Sequence, residues 1–178
     1  MGYNIYFSQI NVKLNRYTKI MNNQKQVPAY LLSILRIYLG VILLYTVIGK
    51  LTAATPFSAE MLDFLNFEIK AGRPSSFYVS FLQSVVIPNA KLFSYLIMTG
   101  EVIAGIGLFA GALTRLSAGI ALILFVNYLF AKGRWFWSPD SEDAAVFFIA
   151  LVLLLGKAGR FFGVDSYLAK RWPNPFLL

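Results

Sequence analysis

The sequence predicts an all-α integral membrane protein: a four-helix bundle with short interfacial helices in its first extracytoplasmic loop. Of its 178 residues 58% are hydrophobic and 13% are charged, and the mean hydropathy is +0.64. An ordinary soluble domain is about half apolar and about a quarter charged. Four long apolar runs follow one another without the alternation of a β-strand. Because backbone groups in lipid must bond internally, such runs predict helices.

The predicted spans cover residues of about 28–51, 89–113, 115–131 and 142–162. Roughly 20 apolar residues cross a bilayer core as a helix, and the third span is the short one. Almost no loop separates the second span from the third, which predicts a tight hairpin. The loop before the fourth span carries Trp135 and Trp137, two residues suited to the membrane interface.

The first connection, about residues 52–88, is long but not of low complexity. Residues 59–69 make an amphipathic helix, and a second apolar run extends from Phe77 to Ile87 before Pro88. Neither is long enough to span a bilayer. Both are therefore expected at the interface, over the mouth of the bundle.

Residues 27–172 are expected to form one transmembrane domain between two tails. The N-terminal tail, residues 1–26, is polar and basic and lacks the short apolar core of a cleavable signal peptide. Met21 is an alternative start, because the hydrophobic pattern begins only at Val27. Residues 173–178 form the C-terminal tail.

The charged residues divide unevenly between the two sides of the predicted bundle. The side with both termini holds nine basic residues and one acid, Asp165, whereas the opposite side holds six of each sign. The positive-inside rule then predicts cytoplasmic termini in the cell (inner) membrane. Nucleic-acid binding is the rival explanation of the basic composition. It is disfavoured because no aromatic-interleaved basic patch lies on a water-facing domain.

The chain contains no cysteine and no histidine. This excludes disulfides, thiol redox chemistry, Cys/His zinc sites, iron–sulfur clusters and histidine-ligated haem within the chain. Catalysis by an imidazole base is excluded as well. No metal site and no covalently bound cofactor are predicted, and the catalytic residues stay unassigned.

Two ionisable residues, Arg36 and Glu101, lie inside predicted spans. Each costs roughly 2.5–3.5 kcal/mol to insert, so each needs a reason to be there. Counted from the cytoplasmic ends of their helices, they lie at depths of about 12 and about 18 Å. We hypothesise that they pair between the first and second helices. Such a pair either binds a ligand or only holds the two helices together.

A polar pocket inside the bundle is the candidate site. Arg36 and Lys50 share one face of the first helix, and Glu101 lies beside a stripe of small residues on the second. Further candidate lining residues, which could equally bond neighbouring helices or lie in the interfacial belt, are Tyr45, Asn127 and Trp137.

Several short motifs in this order resemble one known family. They are Arg36-x-x-x-Gly40 with Gly49-Lys50, Thr99-Gly100-Glu101 with Gly105, Gly111 and Thr114-Arg115, Trp135-Phe136-Trp137, and the block from Gly156 to Asp165. Together they resemble the DoxX/DoxD family of four-helix membrane proteins over about residues 27–172. The resemblance implies a membrane subunit of a thiosulfate:quinone oxidoreductase, which passes electrons from thiosulfate to quinone.

Without redox ligands of its own, such a chain is at most the quinone-binding membrane subunit. Arg36 would then donate to a quinone carbonyl and Glu101 would relay a proton, while a partner subunit supplies the sulfur-oxidising centre. The alternative is a non-catalytic accessory subunit, a scaffold within a larger respiratory or photosynthetic membrane complex. A small transporter is disfavoured because no inverted repeat is visible. Homo-oligomerisation, the substrate and the identity of the partners stay open.

Overall fold

The computed structural model describes residues 29–139, 141–156, 158–160 and 162–171. In these ranges the regular structure is helical, without a strand, as the apolar runs predict. The predicted tails, residues 1–26 and 173–178, lie outside the described residues, as does the alternative start at Met21.

Seven α-helices make up the described chain: α1 (Ala29–Thr52), α2 (Phe57–Lys70), α3 (Ser76–Phe81), α4 (Ala90–Ala110), α5 (Thr114–Ala131), α6 (Glu142–Leu155) and α7 (Asp165–Arg171). A π-helical turn (Leu82–Val86) and a 3₁₀ turn (Ile87–Asn89) join α3 to α4, and a second 3₁₀ turn (Ala158–Arg160) precedes α7. Within the described residues, three stretches are long and apolar enough to cross a membrane: Tyr30–Thr52, Ser76–Ala110 and Thr114–Ala131.

The second apolar run of the first connection is not a separate helix, contrary to the sequence-based prediction. It forms α3, which continues through the π-helical and 3₁₀ turns into α4, and the whole stretch Ser76–Ala110 has 35 residues. Pro88 lies in the first turn of the 3₁₀ segment. Because proline has no backbone N–H to donate, the hydrogen-bond pattern changes there from π-helical to 3₁₀, while the chain continues in helical form.

The amphipathic helix predicted at residues 59–69 is present as α2. Its inner face carries Met61 and Leu65, which are buried. They belong to a hydrophobic cluster with Tyr78 of α3, Leu82 and Val86 of the π-helical turn, Ala90 at the start of α4 and Ala131 at the end of α5. This cluster covers one end of the bundle, which we name the Lys50 end after a residue of α1.

The fourth predicted span, residues 142–162, is shorter than expected. Helix α6 has 14 residues and ends at Leu155, because Gly156 takes an extended backbone conformation. The chain then folds back onto the end of α4, where Asp165 N donates to Gly111 O over 2.8 Å. Of the bundle helices α1, α4, α5 and α6, the last is therefore too short to count among the candidate spans.

Close backbone contact holds α1 against α4. A Cβ added at Gly40 would lie 2.6 Å from Phe109 N, and one added at Gly105 would lie 2.9 Å from the Leu44 side chain. Helix α5 packs against both α4 and α6. The core between the four helices contains Leu39, Leu43, Ala104, Leu108, Ala118, Ala121, Phe125, Ala150 and Leu153.

The outer faces of the long helices are also apolar. Large side chains such as Ile34, Ile48, Leu96, Ile106 and Ile123 are more than half exposed. In water a surface of this kind would be costly. Together with the length of the helices, it means that the chain contacts a lipid bilayer.

Candidate functional site

A cavity of about 750 Å³ lies between the bundle and the helices that cover its Lys50 end. Its walls are mostly aliphatic and aromatic side chains from α1 to α6, among them Leu43, Phe57, Met61, Leu82, Phe93, Ile97, Leu124 and Phe125. A volume of this size is typical of sites for small organic molecules.

A buried ion pair forms part of the cavity lining. Lys50 Nζ lies 2.5 Å from Glu101 Oε1 and 2.6 Å from Oε2, and Tyr128 donates its hydroxyl to Oε1 over 2.7 Å. The Glu101 side chain is 2% exposed and that of Lys50 is 19% exposed. Helices α1, α4 and α5 therefore meet at one carboxylate.

Aromatic rings surround the ammonium group of this pair. Lys50 Nζ lies 4.6 Å from the centre of the Phe57 ring and 5.9 Å from that of Tyr128. Both distances are within the range of cation–π attraction. Phe57 is the first residue of α2, so the helix that covers the cavity also contacts its charged group.

A second ion pair lines the same cavity. Lys132 Nζ lies 2.5 Å from Asp143 Oδ2, with the lysine at the end of α5 and the aspartate in the first turn of α6. Asn127 also lines the cavity and accepts a hydrogen bond of 3.0 Å from Tyr78 on α3. These polar groups are each bonded to a partner on another helix, and Thr46, Glu60 and Glu142 complete the polar part of the lining.

The hypothesis that Arg36 pairs with Glu101 is wrong, because Glu101 is bonded to Lys50. Arg36 is fully buried elsewhere, does not line this cavity, and donates from Nη2 to Phe162 O over 3.0 Å. It lies beside Gly111, just past the end of α4. Since Arg36 is fourteen residues from Lys50, the two cations are about 21 Å apart along α1.

The depth estimate failed because it assumed that α1 and α4 end at the same level. Arg36, seven residues into α1, is level with Gly111 at the end of α4. Helix α1 therefore extends about 10 Å beyond α4 at this end of the bundle, which we name the Arg36 end. In this register Glu101 is level with Lys50 instead.

Asp165 has a structural role that sequence reasoning missed. Its fully buried carboxylate accepts hydrogen bonds from Leu113 N over 2.6 Å and from Thr114 N over 2.9 Å. It thus satisfies two free N–H groups at the start of α5 and places a negative charge at the positive end of the helix dipole. The sequence signal for this role is that Asp165 is the single acidic residue on the predicted basic side of the bundle.

The remaining candidates divide between the cavity and the outer surface. Asn127 lines the cavity, together with Lys50 and Glu101. Tyr45 is 77% exposed and Trp137 is 79% exposed, and neither lines the cavity. Tyr45 lies five residues before Lys50, which places it about 140° away around α1.

The cavity also contains polar residues that were not singled out as site residues. They are Tyr128 on α5 and the Lys132–Asp143 pair between α5 and α6. The available signal was the spacing of Tyr128 and Lys132, which are four residues apart and so share a face of α5.

One family profile, that of DoxX, matches the chain over residues 31–133. The matched region runs from α1 to just past α5 and includes Lys50, Glu101, Tyr128 and Lys132. It is narrower than the resemblance over residues 27–172, since it ends before α6. The chain has no match among curated proteins or among solved structures. Because the profile covers more than half of the sequence, this membrane protein belongs to the DoxX family.

Proposed function

We propose that this protein is the quinone-binding membrane subunit of an oxidoreductase complex, with thiosulfate as the electron donor that the family resemblance implies. A single observation carries the proposal: the Lys50–Glu101–Tyr128 group lies in the wall of a largely apolar cavity of about 750 Å³. A bound quinone would supply two-electron redox chemistry that the chain lacks, with the electrons coming from a partner subunit.

The donor set of the cavity suits a lipophilic ring with carbonyl oxygens. Both oxygens of Glu101 accept from Lys50, which leaves the ammonium group one further N–H to donate to a ligand. The apolar walls match the ring and the start of an isoprenoid tail. Burying an uncharged ring between these walls removes its apolar surface from water and leaves the Lys50–Glu101 pair intact.

Glu101 is the member of this group that would accept or relay a proton at a ligand oxygen, because Lys50 and Tyr128 act as donors to it. Its carboxylate is nearly inaccessible, and Tyr128 and Lys50 fix both of its oxygens. Lys50 orients a carbonyl oxygen and keeps the carboxylate charge compensated. Tyr128 restricts the carboxylate to one orientation, since its hydroxyl donates to Oε1.

Lipid access also supports a membrane-soluble ligand. Phe93, Leu96 and Ile97 of α4 line the cavity, and Leu96 is 56% exposed. The cavity therefore borders the lipid-facing surface of α4. The proposal keeps the predicted orientation, in which the protein lies in the inner membrane and both termini face the cytoplasm.

The test is to purify the protein in mild detergent from membranes that contain quinone and to quantify the quinone retained per chain. We expect close to one equivalent for the native chain. The Lys50→Met/Glu101→Gln double variant, which removes both charges together, is expected to retain much less. Tyr45→Phe is the matched control, since Tyr45 lies outside the cavity.

The same preparation separates this proposal from the accessory-subunit alternative. A chain that purifies in a stoichiometric complex, retains no quinone and binds none when it is added would be a scaffold. A chain that retains quinone in proportion to the intact Lys50–Glu101 pair supports the quinone-binding subunit.

A further inference from the structure

The Lys132–Asp143 pair has no role in the proposed function, although it lines the same cavity as the Lys50–Glu101 pair. The two pairs come from four helices: Lys50 from α1, Glu101 from α4, Lys132 from the end of α5 and Asp143 from α6. The cavity therefore presents two separate lysine–carboxylate pairs to any molecule inside it.

The pairs have the same hydrogen-bonding chemistry. Lys50 uses two of its N–H groups on Glu101, and Lys132 is bonded to one oxygen of Asp143, so both ammonium groups retain donors. Glu101 and Asp143 retain acceptor capacity. Because a quinone oxygen only accepts and a quinol hydroxyl also donates, a lysine–carboxylate pair can bond either redox form of one ligand oxygen.

The two pairs are placed at nearby levels along one wall of the cavity. Tyr128, which bonds Glu101, and Lys132 are four residues apart on α5 and therefore share a face, with a rise of about 6 Å between them. This rise is a backbone spacing on the order of one helical turn, close to the spacing of the two carbonyl oxygens of a para-quinone. The long, flexible lysine side chains can reach two such oxygens from these two levels.

We infer that the ligand of this cavity is a 1,4-quinone held at both oxygens, one by Lys50–Glu101 and the other by Lys132–Asp143. The inference rests on the proposed function and narrows its ligand class. It assigns Lys132 and Asp143 as specificity-determining residues that distinguish a para-quinone from lipophiles with a single polar group.

The test compares two probes on the full-length protein in nanodiscs: decyl-1,4-benzoquinone, and 2-decylcyclohex-2-enone with one carbonyl. The native chain should bind the quinone more tightly. In Lys132→Met the quinone affinity should fall by about tenfold, the cost of one hydrogen bond from a charged donor, while the affinity for the single-carbonyl probe stays the same. Asp143→Asn should weaken binding of the reduced, quinol form of the probe.

Arg73→Met is the matched control. Arg73 is also paired with a carboxylate, and its side chain is 42% exposed against 40% for Lys132, but it does not line the cavity. It should leave both affinities unchanged.

The outcomes are distinguishable. An unchanged quinone affinity in Lys132→Met, or an equal loss for both probes, would overturn the two-point inference while the proposed function stands. Failure of the native chain to bind the quinone at all would instead overturn the proposed function, and this inference with it.

Discussion

Lys50 on α1 and Glu101 on α4 form a nearly symmetrical ion pair, with Nζ at 2.5 and 2.6 Å from the two carboxylate oxygens. The pair neutralises a carboxylate that is otherwise sealed inside the membrane protein. It also ties the two most extensively packed helices together at the cavity. The proposed ligand binding and the stability of the bundle therefore depend on the same contact.

Removal of Lys50 alone should destabilise the protein strongly. In Lys50→Met the Glu101 carboxylate stays buried without its ammonium partner, which should lower the free energy of unfolding by about 3 kcal/mol. Lys50→Met/Glu101→Gln should recover most of this loss, because no unpaired charge remains. Unfolding titrations with sodium dodecyl sulfate measure both. A double variant no more stable than the single one would contradict this account of the pair.

Loss of the Tyr128 hydroxyl should have a smaller effect that depends on Glu101. Tyr128→Phe keeps the ring but removes the hydrogen bond to Oε1, at a cost of about 1 kcal/mol of unfolding free energy. In a Glu101→Gln background the same change should cost less. Tyr45→Phe, on the exposed side of α1, should be neutral. Equal costs in both backgrounds would show that the hydroxyl acts elsewhere.

The glycines of α1 should differ sharply in their tolerance of alanine. A Cβ at Gly40 meets the backbone of Phe109 at 2.6 Å, whereas one at Gly49 meets nothing within 4 Å. Gly40→Ala should therefore lower the free energy of unfolding by about 2 kcal/mol, because the added Cβ pushes α1 away from α4. Gly49→Ala should stabilise by about 0.5–1 kcal/mol, because alanine favours the helix. The same unfolding titration tests both, and a tolerated Gly40→Ala would contradict the close contact.

Asp165 should be required for the stability of the hairpin between α4 and α5. Asp165→Ala leaves the N–H groups of Leu113 and Thr114 without their acceptor, which should cost about 2 kcal/mol. Asp63→Ala, on the exposed face of α2, should change stability by less than about 0.5 kcal/mol. Amide hydrogen exchange at the start of α5 should accelerate in Asp165→Ala only. Unchanged exchange there would argue against the capping role.

The sequence was sufficient to predict the helical membrane fold and to name two of the charged residues that line the cavity. Continuous apolar runs predicted the long helices, and the amphipathic pattern at residues 59–69 predicted α2. Glu101 stood out because a charge within an apolar span needs a partner, whereas Lys50 was named because it shares one face of the first helix with Arg36. Physical cost therefore identified one member of the pair, and it assigned Glu101 the wrong partner.

The partner of Glu101 and the end of α6 depended on information that a single sequence does not contain. The register between α1 and α4 depends on where their backbones touch. The close contact between Gly40 and the backbone of Phe109 sets that register. Helix α6 ends early because the chain after Gly156 folds back to bond α4, a long-range contact. Tyr45 could have been set aside, since its angle around α1 relative to Lys50 is fixed by helical periodicity.

The most direct measurement of the central claim is photo-crosslinking of the full-length protein in nanodiscs with an azido-1,4-quinone, followed by mass spectrometry of the labelled peptides. The account predicts labels on cavity-lining residues of α1, α4 and α5, such as Thr46, Ile97 and Leu124, that disappear when excess decyl-1,4-benzoquinone competes. Labels confined to outward-facing residues such as Ile34 and Ile106, or labels that the competitor does not displace, would contradict it.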